Sequence, residues 1–399
     1  MNINVLNKQY QRIAVVDTFT SLMWCKRYYD VGALDLQIEA TIENLKIFKK
    51  HYFITRDDDT NVYRIEAIEI DTNEDGDDVL IIGAVDCKAI LSQRITWSQV
   101  FSRNVTAEQF IENIIDVSFI NPDSVDRKID NFRLDIPSLT TETTTRQSTY
   151  DDIGEKVNQI CRENQLGSRM SLDADNNFVF SLYKGVDRSA SQSVNPKIVF
   201  ASSRENLFSS KYVFDSSGYK NTALIGGSGE GVERIMASIE TAAGLERREM
   251  FVDAGSVDAP EDDRPAYAHA LIAEGKAKLT ATASVESFEG EIDATAYKYK
   301  EDYDLGDIVT ISNKYDISID ARIVEVIETW DETGYTVEPV FEYLAQEDDI
   351  FDALLTEDGE VLMTEYAEVL MLDYSPIVSE DEENYIITED GENIILEVQ

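Results

Sequence analysis

Histidine is almost missing from this chain: His51 and His269 are the only two in 399 residues. They stand far apart, so neither has a partner at the spacing of a zinc-peptidase helix. No Gly-x-Ser-x-Gly elbow and no Cys–His signature is visible, which argues against a serine or cysteine hydrolase. Cysteine is scarce as well. Cys25, Cys87 and Cys161 are odd in number, widely spaced and set in apolar surroundings. They fit neither a metal knuckle nor a disulfide framework and read as small buried apolar residues. No apolar run reaches the roughly 18–20 residues that a membrane helix requires. The start, Met1-Asn2-Ile3-Asn4-Val5, lacks the basic and apolar regions of a secretory signal, so a soluble chain made in the cytoplasm is expected.

Positive charge is the next shortage. There are 35 Lys and Arg against 78 Asp and Glu, a net charge of −43, and neither Lys nor Arg occurs after Arg322. Such a field repels nucleic-acid phosphates at long range, so no sequence-specific nucleic-acid binding is expected. An acidic wall still lets a polyanion slide past without sticking. The plainer role of the carboxylates is to keep a multi-copy protein soluble.

Apolar and aromatic residues are plentiful, at 43% and 10%, enough for most of the chain to fold. At this length more than one core is expected. Leu34 to Ala40 alternates with period two, the pattern of a strand with one dry face. Tyr52–Ile54 and Tyr63–Ile68 flank the polar turn Arg56 to Asn61 as a hairpin would, and Val79–Ala84 is another strand. The pattern then changes. Thr106 and Gln109 form a capping box, with Phe110, Ile111, Ile114 and Ile115 on one helical face before Asn121-Pro122. Pro137 to Thr149 reads as a linker. A second helix is predicted from Ser148 or Thr149, carrying Ile153, Val157 and Ile160 and stopping at Gly167. A hairpin over Ser171–Tyr183 turns at Asp175-Asn176-Asn177. Pro265 opens an Ala-rich helix to Leu279, with Asp263 or Arg264 at its cap. Strands are predicted at Lys211–Phe214, Ala223–Ile225, Ile292–Tyr299, Ile308–Ile311, Ala321–Ile327 and Tyr335–Val340.

These patterns imply a β-rich α+β fold class. Residues 1–104 form a β-barrel-like domain, 105–204 an α+β insert, 205–345 a second β-barrel-like domain with one helix, and 346–399 an acidic tail of β-hairpins. In that tail Leu354 to Met363 is nearly copied by Ile386 to Ile395, each placing Asp-Gly (Asp358-Gly359 and Asp390-Gly391) between apolar pairs. Asp-Gly there signals a two-residue hairpin turn. A lone hairpin is marginal in water, so these must pack on the body, on each other or on a neighbour.

Several segments invite a ligand. Gly226-Gly227-Ser228-Gly229-Glu230-Gly231 follows a strand, but lacks the Lys-Ser or Lys-Thr of a phosphate loop and carries Glu230 and Glu233 close by. A structural turn is favoured. Asp71 to Gly76 copies the first half of a calcium loop, yet its twelfth position is Ile82. A plain hairpin turn is favoured there, and equally at Asp57-Asp58-Asp59 and Asp173-Ala174-Asp175. Trp24, Tyr28 and Tyr29 with Lys26 and Arg27 form either a ligand platform or, more often for strand aromatics, core or interface. No catalytic, cofactor-binding or metal-binding residue is assigned from the sequence, and no cofactor is expected.

Read together, three segments resemble the Gp37-like tail proteins of siphophages, relatives of the baseplate hub of contractile-tailed phages. They are Ser21 to Leu36, with Trp24, Lys26-Arg27-Tyr28-Tyr29 and Gly32; the Gly226–Gly231 turn followed by Arg234; and Tyr303 to Ile311 continuing through Arg322–Val326 to Gly334–Val337. The resemblance spans about residues 3–345 and leaves the acidic hairpins outside. It implies a non-enzymatic hub at the tail tip of the virion. There, two β-barrel-like domains from each of three subunits form a ring that joins tail tube to tip. The implied partners are two further copies in a homotrimer, the distal tail or tail-tube protein, the tape-measure protein, and receptor-binding or fibre proteins. The ring would open for DNA ejection. A tail-associated glycan-degrading enzyme is the alternative from another class, since a glycosidase needs only two carboxylates. A host-surface adhesin is a further one.

Overall fold

The computed structural model describes residues 1–72, 78–231, 234–255, 257, 264–282, 285–293, 296–315, 317–343, 385–387 and 393–395. The chain opens with strands β1 (Ile3–Leu6), β2 (Arg12–Val16), β3 (Ser21–Arg27) and β4 (Ala33–Glu39). Past a short helix α1 (Ile42–Ile47) come β5 (Phe53–Arg56), β6 (Tyr63–Thr72) and β7 (Asp78–Asp86). β8 (Val100–Val105) leads into helix α2 (Ala107–Ile115), followed by β9 (Phe132–Asp135), β10 (Thr144–Ser148) and helix α3 (Ile153–Glu163). Next are β11 (Gly167–Leu172), β12 (Phe178–Tyr183), β13 (Val199–Ala201), β14 (Leu207–Asp215), β15 (Thr222–Gly226), β16 (Met236–Ile239) and β17 (Glu249–Asp253). Helix α4 (Arg264–Ala281) precedes β18 (Val285–Ile292), β19 (Ile308–Ser312), β20 (Ser318–Asp331) and β21 (Gly334–Tyr343), and β22 (Tyr385–Ile387) and β23 (Asn393–Ile395) come last.

Local chemistry explains most of these elements. On β4, Leu34, Leu36 and Ile38 are buried while the residues between them are partly exposed, as period two requires. The α2 capping box forms: Thr106 Oγ1 accepts from the Gln109 N–H, and Gln109 Oε1 accepts from the Thr106 N–H at 3.0 Å. Phe110, Ile111, Ile114 and Ile115 are fully buried, and a π-helical turn over Asp116–Ile120 extends the helix to Asn121. The second helix starts later than predicted. The Ser148 hydroxyl is engaged by Thr96 and Asp151, which keeps Ser148 in β10, and Asp152 caps α3 by accepting from the Glu155 N–H. α4 starts at Arg264, with Pro265 in its first turn, while Asp263 lies outside the described residues.

The strand predicted over Ile292–Tyr299 is also displaced: β18 ends, rather than begins, at Ile292. The alternating tyrosines that suggested a strand serve packing instead. Tyr297 meets Phe200 edge-on at 5.5 Å, and Tyr299 lies against Tyr303 at 5.7 Å.

Thirteen strands of the described residues join in one sheet. Its main path runs β14-β18-β21-β20-β3-β4-β7-β6-β5-β1-β2, with β19 pairing β20 and β13 added to β19. The expected closure into β-barrels is not met, for among the described residues no sheet closes on itself. The reason lies at β3: its free edge takes β20 from the far end of the sequence, with Cys25 opposite Ile327 and Trp24 opposite Glu328, instead of a strand of its own segment. β20 pairs β21 along one edge and shares its other edge between β19 and β3. Smaller sheets are β11-β12-β9, β16-β15-β17, and the pairs β8–β10 and β22–β23.

Among the described residues the core has three parts. One packs α2, α3, β11 and β12 with β19, β20 and β21; a second fills the space around β1 and β3 to β7; a third joins α4 to the β16-β15-β17 sheet. Of the two acidic repeats, the first lies outside the described residues. In the second, Tyr385–Ile387 pairs antiparallel with Asn393–Ile395. Ile387 stands opposite Asn393, which leaves 388–392, with Asp390-Gly391, outside the described residues.

Candidate functional site

Where β5 turns toward β6, the three-aspartate loop does more than turn. The Asp59 side chain is 2% exposed, and its Oδ2 receives three cations: Lys26 Nζ at 2.9 Å, Lys300 Nζ at 3.0 Å and Arg56 Nη2 at 3.4 Å. Burial alone would push the Asp59 carboxyl up. Lys26 and Lys300 outweigh it and hold the group well below the usual carboxylate range. The expected turn forms here, with the Asp59 N–H bonded to the Arg56 carbonyl at 3.2 Å, and Asp59 anchors the three cations besides; at Asp173 the turn also forms, Asp173 Oδ1 accepting from the N–H groups of Asp175 and Asn177.

Arg56 is the centre of this network. Its side chain has no exposed surface, and its guanidinium lies 5.0 Å from the Trp24 ring and 4.9 Å from the Trp330 ring. It pairs with Glu328 at 2.8 Å and with the exposed Asp58 at 2.6 Å. Glu328, 3% exposed, accepts one further hydrogen bond, from Tyr335 Oη at 2.9 Å. Burial disfavours the Arg56 cation, but Glu328 and Asp59 outweigh it and raise its pKa. The cluster ties β3 and β5 to β20, where the sheet changes from early to late sequence.

One wall of a neighbouring cleft of about 490 Å³ is built on this cluster, through Lys26, Asp58, Asp59 and Lys300. The rest of the lining comes from β11, β12 and the loops 184–188 and 301–307. The loop that carries Leu305 and Asp307 is tightly fixed behind the cleft lining. Gly306 has φ +95°, and a Cβ there would stand 2.2 Å from the Tyr28 ring. Arg322, fully buried, lies 5.2 Å from that ring and donates to the Gly306 carbonyl at 2.7 Å and to Gln165 Oε1 at 2.9 Å. Asp307 accepts from Arg188 Nε at 2.8 Å and from the Val186 N–H at 2.7 Å. Of the residues lining the cleft, only Gly185, Val186 and Leu305 lack a polar side chain.

The other residues singled out in the sequence lie in varied settings. Trp24, Tyr28 and Tyr29 are buried in the core, so they are no exposed ligand platform; Lys26 and Arg27 beside them do face the cleft. The three cysteines are buried and free. Burial pushes the Cys25 thiol up to about 11 and Cys161 to about 12, with Cys87 also raised. The glycine turn after β15 is filled from within: Arg234 donates to the Gly226 and Gly227 carbonyls at 2.8 and 2.9 Å and pairs with Asp253. A Cβ on Gly227 would stand 2.3 Å from Tyr267 Oη. Residues 73–77 of the calcium-loop candidate lie outside the described residues, and Ile82, its twelfth position, is a fully buried strand residue. His51 pairs with Glu66 at 3.5 Å, and His269 belongs to α4. Among the described residues no group of three or more His, Cys, Asp or Glu converges as metal ligands would, and no helix is long and apolar enough to cross a membrane.

Sequence reasoning missed Arg56, Glu328 and Lys300 altogether. A lone Arg before three aspartates carries no local sign that its partner stands 272 positions away.

The model of the siphovirus ReqiPepy6 Gp37-like protein family matches residues 2–341. No curated protein matches the chain in sequence. Among solved structures, the 43 kDa tail protein of prophage MuSo2 from Shewanella oneidensis is similar, with a TM-score of 0.55 at 10% identity, covering 86% of this chain and 98% of that one. A tail protein from Neisseria meningitidis MC58 is similar with a TM-score of 0.54 at 11% identity, covering 87% and 97%. Prophage tail protein gp18 from Listeria monocytogenes EGD-e is similar with a TM-score of 0.53 at 12% identity, covering 87% and 95%.

Proposed function

The chain belongs to the siphovirus ReqiPepy6 Gp37-like protein family, and on that premise we propose that it is a structural subunit of a phage tail tip. In this reading it is a hub that assembles as a homotrimeric ring, closes the tail tube, meets the tape-measure and receptor-binding or fibre components, and opens for DNA ejection. The observation that carries the reading is the two-way coverage of the fold: 86% of this chain superposes on 98% of a prophage tail protein. The likeness therefore concerns the whole body and not a shared module. A hub must also transmit force without coming apart, and the β3–β20 seam, fastened by the Arg56 cluster, suits that demand.

The cleft carboxylates give little support to a glycan-cleaving alternative. A glycosidase acid needs a raised pKa, and Asp59 is held well below the usual range by its lysines.

The test is the solution mass of the purified chain, by light scattering during size-exclusion chromatography, joined to immunogold labelling of virions. A mass near three times 45.0 kDa with gold at the tail tip is the expected result. Gold on the capsid, or no virion labelling, would overturn the reading.

A further inference from the structure

The large sheet repeats itself. Its early half runs β3-β4-β7-β6 with β5 added to β6, and its late half runs β14-β18-β21-β20 with β19 added to β20. The registers coincide as well. β5 meets β6 at Tyr63 and Arg64, and β19 meets β20 in the same way at Ala321 and Arg322. Just beyond, each long hairpin shifts register, between Ile65 and Ala67 in β6 and between Ile323 and Glu325 in β20. Ala67 and Glu325 therefore hold equivalent places, and so do Thr72 and Trp330. On the other side, Leu34 of β4 faces Ala84 and Phe288 of β18 faces Phe341. Opposite these stand Trp24 of β3 and Tyr212 of β14, which are equivalent in turn.

The repeat is complete except in one respect. The far part of β20, Glu325–Trp330, is covered by β3. The same part of β6, Ala67–Thr72, has β7 on one side and, among the described residues, no strand on the other, and Ile70 is 54% exposed. The counterpart of β3 is likewise open. β14 has β18 on one side and no strand on the other among the described residues, with Phe208 63% and Phe214 60% exposed. A nine-residue edge that shows apolar side chains is a template for another chain.

We propose that these two edges meet between copies of the chain: β14 of one copy pairs antiparallel with Ala67–Thr72 of the next, repeating the β3–β20 seam. In that seam Lys26 stands opposite Val326, Trp24 opposite Glu328 and Met23 opposite Thr329. Carried across the repeat, the same register sets Phe214 opposite Ile68, Tyr212 opposite Ile70 and Lys211 opposite Asp71. Two apolar pairs and one pair of opposite charges result, each of a kind that stabilises antiparallel strands. A slip of one residue either way sets Tyr212 against Asp71 or Glu69 and loses the charge pair. Pairing of β14 with a second β14 would leave the β6 edge open. The contact joins two different surfaces, so each added copy presents a fresh edge until a ring closes. That three copies close it rests on the hub reading; the pairing itself rests on the repeat.

The experiment is disulfide trapping in the full chain. Lys211→Cys and Asp71→Cys occupy exposed positions, and the native thiols are buried. Under a mild oxidant the double variant should give a covalent trimer near three times 45.0 kDa on a non-reducing gel. Asp215→Cys with Asp71→Cys, four residues out of register and about 13 Å off along the strand, should not link. In light scattering Lys211→Glu should weaken association about tenfold, and Lys211→Glu/Asp71→Lys should restore it to within about threefold of wild type. Trapping no faster than in the out-of-register pair would overturn the proposal. So would a charge swap that restores nothing, association that stops at two copies, or a chain that stays monomeric to about 1 mM. Gold labelling of virions judges the hub reading separately: gold at the tail tip with no trapping removes the pairing and leaves the hub.

Discussion

Replacing Arg56 by methionine keeps an unbranched chain between Trp24 and Trp330 and removes only the charge and its donors. The three carboxylates it served then fare differently. Asp59 keeps Lys26 and Lys300, so it stays compensated. Asp58 is exposed and turns to water. Glu328, 3% exposed, is left with the Tyr335 hydroxyl as its one remaining partner. A buried charge stripped of its partner costs about 3–5 kcal/mol, so Arg56→Met should lose about that much stability. A second variant separates the orphaned charge from the lost contacts. Arg56→Met/Glu328→Leu removes the orphaned carboxylate, and replacing a buried pair by apolar groups is close to neutral, so about 2–3 kcal/mol should return. Urea unfolding followed by tryptophan fluorescence suits the question, because Trp24 and Trp330 flank the site while Trp97 is exposed. Far-UV circular dichroism must give the same midpoint for the free energies to be meaningful. A loss under about 1 kcal/mol for Arg56→Met, or a double variant as unstable as the sum of its singles, would refute the account.

Gly306→Ala places a side chain at φ +95° and against the Tyr28 ring, and a loss of about 2–4 kcal/mol is expected in thermal melts. In native protein at pH 8 the buried thiols, raised to about 11 at Cys25 and about 12 at Cys161, should not react with a disulfide reagent over an hour, whereas all three should react in denaturant. Glu108, 3% exposed, accepts from the Leu139 N–H and from the Thr140 N–H and hydroxyl, so Glu108→Ala should cost about 2–3 kcal/mol and speed amide exchange at Thr140. Burial pushes that carboxyl up, but the Thr140 and Leu139 hydrogen bonds outweigh it and lower its pKa. A depressed carboxyl stabilises fully above its unfolded-state value and loses that contribution as pH falls through the folded one. The stability gap between wild type and Glu108→Ala should therefore be flat at neutral pH and close in acid. A gap that widens in acid would contradict the assignment.

Local patterns were legible in the sequence where the chain decides its own structure. The period of β4, the capping box of α2 and the Asp173 turn each depend on residues within a few positions of one another. Closure was not legible, because nothing in Leu22 to Arg27 says which strand will take its free edge. Ser148 shows a subtler failure. A serine at a plausible cap position is pulled into a strand by Thr96, which lies 52 residues earlier. The cleft was half visible. Lys26 and Arg27 stood out beside their aromatics, but the residues facing them come from β11, β12 and the loop before β19, and no periodicity links those segments.

The seam between β3 and β20 also sets a clock. Arg27 waits 298 positions for Glu325, and at a synthesis rate of about 5–20 residues per second that delay is about 15–60 s. Throughout it, the edge of β3 is an open row of backbone donors and acceptors, and the apolar face behind it has no cover from the later strands. On each ribosome, then, the newborn N-terminal half must stay apart from its neighbours until its own last strands arrive.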